Sequence, residues 1–84
     1  MAGDISRVVG TSSVQVLAAN GSRTEARIAN DSLTQIIYIA YGVAAVVGGG
    51  IRLNPRGGFV ITDTTSAINA ISTAATGKVV GSWA

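Results

Sequence analysis

From Val14 to Trp83 the chain is a succession of short runs of apolar and β-branched residues, each cut off by glycine, asparagine or aspartate before a helix of ordinary length can form. This rhythm constrains the fold more than any other feature. A strand is complete in about four to eight residues, whereas an amphipathic helix needs about ten or more. Apart from alanine, good helix formers are sparse, and β-branched residues and glycine dominate. An all-β fold follows.

Val14-Gln15-Val16-Leu17 reads as a strand, and Asn20-Gly21 after it has the residues of a type I′ hairpin turn. Thr24 to Asn30 alternates, with Ala26 and Ile28 on one face and Glu25 and Arg27 on the other. Asn30-Asp31-Ser32 makes the next turn. Gln35 to Tyr41 is nearly continuous in apolar residues, as in a central strand buried on both faces or one with a face against a partner. Ile51-Arg52-Leu53 and Phe59 to Thr62 read as a strand pair. Asn54-Pro55-Arg56-Gly57 between them has the preferences of a type I turn, and Gly48 to Gly50 gives a flexible lead-in. Ala67 to Ile71 alternates again, and Lys78-Val79-Val80 begins a last strand. The expectation is six to seven short antiparallel strands in a small jelly roll, β-sandwich or barrel. It is a single domain over residues 12–84, preceded by an N-terminal arm at residues 1–11.

At 84 residues the chain buries only about 60–65% of the surface its unfolded state exposes. It has no cysteine and no histidine, which removes disulfides, thiolate nucleophiles, zinc sites built on these residues and His-based triads. Oligomerisation is the stabilising device that remains. Charged residues are 12% of the chain against 48% hydrophobic, which fits a folded domain largely covered by other subunits. A net charge of +2 is weak for a nucleic-acid binder.

Two glycine-bearing stretches fail as phosphate loops. Gly48-x-Gly50 has Leu53 where a dinucleotide loop needs its third glycine, and Gly77-Lys78 has Ser72 where a P-loop needs its first. Arg56-Gly57-Gly58-Phe59 is one copy of a motif that binds RNA in disordered arrays. Leu33 to Ile51 has the length of a membrane span, but three consecutive glycines, Gln35 and two tyrosines interrupt it and no basic cluster flanks it. The start lacks the apolar core of a secretory signal, so the sequons at Asn20 and Asn30 read as turns. The carboxylates Asp4, Glu25, Asp31 and Asp63 each have a local explanation, and no base activates the serines. No catalytic, cofactor or metal residues are assigned. Arg23, Arg27, Arg52 and Arg56 face either solvent or a partner's carboxylates. Tyr38, Tyr41 and Trp83 are candidates for core or subunit interface.

Taken together, the segments VQVLAANGSRTEARIANDSLTQIIYIAYG, GGGIRLNPRGGFVI, AINAIS and KVVGSW resemble small β-rich domains of structural proteins of tailed bacteriophages, over about residues 13–83. The resemblance rests on Asn20, Arg23, Asn30, Ser32, Gly50, Leu53, Pro55 and Gly58, turn and core residues that imply a fold rather than a ligand site. It implies a non-enzymatic capsid decoration (cement) protein, a homotrimer on the outer surface of the virion head whose partners are itself and the major capsid protein, with no nucleic acid and no membrane. Asp4 and Arg7 on the arm, with Arg56, are then the expected capsid contacts, and Tyr38, Tyr41 and Trp83 the expected subunit contacts. The chain ends soon after its last strand, so a free-standing module is expected. The alternative is a head fibre, spike or tail component that binds host glycans.

Overall fold

The computed structural model describes residues 3–84, which form eight strands: β1 (Gly3–Val9), β2 (Val14–Leu17), β3 (Ala26–Asn30), β4 (Ile37–Tyr41), β5 (Ile51–Leu53), β6 (Phe59–Thr62), β7 (Ile68–Ser72) and β8 (Gly77–Trp83). No helix occurs among the described residues. The ladders pair first strand with last and work inward: β1 with β8, β2 with β7, β3 with β6 and β4 with β5, all antiparallel. This is one long hairpin with the β4–β5 connection at its tip. Rolling it up adds the β3–β8 and β4–β7 ladders. Two four-stranded sheets result, sheet A in the order β1-β8-β3-β6 and sheet B in the order β2-β7-β4-β5. Eight antiparallel strands rolled in this way into two sheets make a jelly roll.

Rolling changes what the turns do. Only β4 and β5 are consecutive strands of the same sheet; the other connections cross between sheets. The Asn20-Gly21 turn joins β2 of sheet B to β3 of sheet A, so it is not a hairpin. Its closing bond runs from the Arg23 amide to the Asn20 carbonyl (3.1 Å), and neither central residue has the positive φ of type I′. Nor do β5 and β6 pair with each other. Between them the Gly58 amide bonds the Asn54 carbonyl (3.1 Å), and Arg56 and Gly57 have φ of 63° and 98°. A type I turn has negative φ at both central positions, so that expectation fails at Arg56. The corner is fastened instead to the end of β3, through Arg56 N–H to Ser32 O (2.8 Å) and Gly57 N–H to Asn30 O (2.9 Å). The true hairpin is β4–β5. Gly50 closes it with φ 74° at a point where a Cβ would run into the Ile39 carbonyl.

The described part of the expected N-terminal arm is largely a strand, and residues 1–2 of that arm lie outside the described residues. Gly3–Val9 pairs along its whole length with β8, and Ile5 and Val9 enter the core. Period two is present here, but Ser6, Arg7 and an exposed Val8 obscure it in the sequence.

The core lies between the sheets and is dominated by isoleucine: Ile5, Ile28, Ile37, Ile39 and Ile68, with Val9, Val79, Leu53, Ala26 and Ala70. Residues 35–41 yield a central strand buried on one face, since Ile37 and Ile39 are buried while Tyr38 and Ala40 on the other face are partly covered. Two buried polar side chains fasten the crossovers. Arg23, 3% exposed, donates to the carbonyls of Ala18, Thr64 and Ser66 and so ties the β2–β3 connection to the β6–β7 connection. Asn30, fully buried, donates through Nδ2 to Gln35 O (2.8 Å) and Leu53 O (3.0 Å) and accepts from the Ser32 amide (2.9 Å). A glycan cannot be carried on Asn30 in this fold. Asn20, the other sequon, caps its own turn by accepting from the Ser22 amide (3.0 Å).

Candidate interaction surfaces

The outward side chains of sheet A follow from its registers. One level across the sheet reads Asp4, Ser82, Arg27, Ile61; the next reads Ser6, Val80, Ala29, Phe59. At the third level Val8 lies beside Lys78, and Asp31 continues β3 with its amide bonded to the Lys78 carbonyl (2.8 Å). Their inward neighbours Ile5, Ile28, Val60 and Val79 pack in or against the core, so these residues point to the opposite side. Phe59 is 62% exposed, Ile61 49% and Val8 67%. Single exposed apolar residues are normal on any protein, but here they join Val80 and Ala29 into a band across all four strands.

Sheet B has a different exterior. Asn69 points outward from β7 and donates to the Val43 carbonyl (2.6 Å), while the Ala45 amide donates to Ser13 Oγ (2.8 Å). These bonds draw the β4–β5 loop, residues 42–50, over the outer side of the sheet. Ala45 and Ile71 are buried yet stand outside the inter-sheet core, so the loop adds a thin third layer. Its tip, turned by the Gly49 amide bonding the Val46 carbonyl, leaves Val43, Val46 and Val47 more than half exposed.

A third feature is a shallow cleft at one end of sheet A, about 400 Å³, lined by Gly3, Asp4, Glu25, Ser82, Trp83 and Ala84. The Trp83 indole lies over Gly3, where a Cβ would meet Nε1 at 2.7 Å. Compared with known proteins, the chain matches no family model, no curated protein and no solved structure.

The sequence-predicted contact residues fall in separate places. Asp4 lies at the Trp83 end of sheet A, whereas Arg56 sits at the other end of β3 in the β5–β6 corner. Arg7 is exposed on the edge strand β1, level with Val79 and Asn30. No single patch gathers all three. Of the aromatic residues, Tyr41 and Trp83 pack against the chain's own core, and Tyr38 projects from the outer side of sheet B opposite Ile71 and Arg52. Arg23 is neither solvated nor free for a partner. Glu25 precedes β3 instead of lying on it, and its amide bonds the Ala84 carbonyl. At Asp63 the turn is fastened by its threonine neighbours: Thr62 Oγ1 accepts from the Thr64 amide and Thr64 Oγ1 from the Ser66 amide.

The Tyr41 hydroxyl is buried with no hydrogen-bond partner among the described residues. A buried polar group in that condition costs about 1–3 kcal/mol. Tyr41→Phe removes it without opening a cavity, so the variant should be more stable by about 1 kcal/mol. In a domain of this size that raises the melting temperature by about 4–8 °C, readable by circular dichroism. A lower melting temperature would mean that the hydroxyl has a partner in solution.

Proposed function

We propose that the protein is a non-enzymatic structural protein of a bacteriophage virion, a decoration protein that sits as a homotrimer on the outside of the head and stabilises the shell. The observation that carries this reading is the presence of two exposed apolar surfaces on opposite sheets, the band across sheet A and the valine tip over sheet B. A decoration protein needs two contacts, one to its own copies and one to the shell. A protein that binds only the assembled shell stabilises it by mass action, by about 2.7 kcal/mol when present at a hundred times its Kd, with no chemistry involved. The resemblance to phage structural domains supplies the biological setting, and the jelly roll is a fold in which such a role is at home.

The test is to mix the protein with undecorated heads of the same phage and follow co-sedimentation and the melting of the shell. Saturable binding and a raised melting temperature are expected. Val46→Asp combined with Val47→Asp should reduce binding about tenfold or more while the protein keeps its fold, because both side chains are exposed. No binding by the unaltered protein would sink the reading. Deleting residues 2–10 is not a usable variant, since it removes Ile5 and Val9 from the core.

A second reading, a glycan-holding fibre or spike component, is favoured by one observation: Trp83 shares its cleft with the carboxylates of Asp4 and Glu25. An aromatic face beside polar acceptors suits a sugar ring. Binding on a glycan array, lost in Trp83→Ala, would select this reading over the first.

A further inference from the structure

We infer that the outer face of sheet A is the contact between copies of this chain, with the β1–β8 half of one face against the β3–β6 half of the next. The number of copies rests on the trimer reading above, whereas the face and its register follow from the sheet. The charges decide the register. The β1–β8 half carries Asp4 at one end and Lys78 at the other; the β3–β6 half carries Arg27 and Asp31 at the corresponding levels. With strands of neighbouring copies running the same way, Lys78 on β8 meets Asp31 of the next copy, and Asp4 on β1 lies at the level of its Arg27, one strand spacing of about 5 Å to the side and within reach of a long guanidinium side chain. At the level between them the small Ser6 meets the large, exposed Phe59, beside the apolar pair Val80 and Ala29. Reversing one half would set Asp4 against Asp31 and Lys78 against Arg27, and like charges placed together at an interface cost several kcal/mol. The sheet is therefore complementary to itself in one direction, both in charge and in side-chain size. Contacts between complementary halves of this kind close around an axis parallel to the strands when the rotation between copies completes a circle, and run on as an open filament when it does not. The arrangement also covers a band that would otherwise be open to unwanted association.

Light scattering and sedimentation velocity at micromolar concentration test the inference with four forms of the full chain. The unaltered protein should weigh about three times 8.4 kDa. Phe59→Glu should run as a monomer with an unchanged β spectrum, since Phe59 is exposed on an edge strand. Arg27→Glu should weaken association about 100-fold, and adding Asp4→Arg to it should restore most of that loss by exchanging the two charges. Restoration is specific to this register, because a contact between Arg27 and any residue other than Asp4 gains nothing from the exchange. An oligomer whose mass Phe59→Glu leaves unchanged, or a charge exchange that restores nothing, overturns the inference while the trimer reading stands. An unaltered protein of two copies that obeys the same substitutions keeps the face and overturns the trimer. A monomeric unaltered protein overturns both.

Discussion

Arg23→Ala is expected to cost about 3–5 kcal/mol, a large part of the stability of an 84-residue domain. Among the described residues Arg23 has no carboxylate partner. Its guanidinium is held by four hydrogen bonds to three backbone carbonyls: Nε and Nη2 to Thr64 O, Nη1 to Ala18 O, and Nη2 also to Ser66 O, at 2.7–3.1 Å. Hydrogen bonds to a charged donor are worth about 1.5–3 kcal/mol each, and desolvation of the guanidinium offsets part of that sum. Removing the side chain leaves those carbonyls without their donor. It also unties the β2–β3 connection from the β6–β7 connection, 41–43 residues away in sequence. Arg23→Lys should recover less than half of the loss, because an ammonium lacks the planar fork that reaches separated carbonyls together. Urea titration is the measurement: a lower midpoint with an unchanged m-value is expected for both variants. A loss below about 1 kcal/mol for Arg23→Ala would show that water replaces the guanidinium at these carbonyls.

The same residue shows what the sequence could and could not disclose. An arginine beside a turn, near Glu25 and Arg27, reads as surface. Its burial depends on Thr64 and Ser66, which no local pattern ties to it. The period-two stretches around Ile28 and Ile68 were legible, because each strand has one face in the core and the alternation is printed in its own residues, whereas the nearly continuous apolar run around Ile39 disclosed a strand but not which face it buries. The crossovers were not. Asn-Gly and Asn-Pro-x-Gly supply flexible backbone equally to a hairpin and to a corner between sheets, and only the pairing of distant strands separates the two. The apolar band of sheet A was hidden for a related reason. Phe59-Val60-Ile61 is apolar on both faces, so composition alone cannot say that Val60 packs on the core while Phe59 and Ile61 face outward. The valine tip was hidden inside a run whose first half is a true core strand.

Gly81→Val is expected to be at least as damaging as Arg23→Ala, for a reason that lies in space and not in φ. Gly81 sits on the inward side of β8 with Ile5 opposite it on β1 and Ile28 opposite it on β3. Gly81 has no positive φ, so any residue could adopt its backbone conformation, but a Cβ there would run into the Arg27 carbonyl of the neighbouring strand. That obstacle is backbone, and it cannot rotate away as a side chain can. Either β3 moves off β8, breaking the ladder that joins the two halves of sheet A, or the core opens to admit the extra atoms. Overpacking alone costs about 1–3 kcal/mol, and ladder bonds lost between buried strands add about 1 kcal/mol each. A total of about 4 kcal/mol or more is enough to leave much of the population unfolded. Ser82→Val, one residue on and facing outward, supplies the control: its side chain is exposed in the single chain, so the stability of the fold, measured apart from association, should change by less than about 0.5 kcal/mol. Denaturant titrations of the two variants separate the explanations. Equal losses would mean that β8 resists valine along its whole length, whereas a loss confined to Gly81→Val locates the constraint at the β3 backbone beside it, the Arg27 carbonyl first.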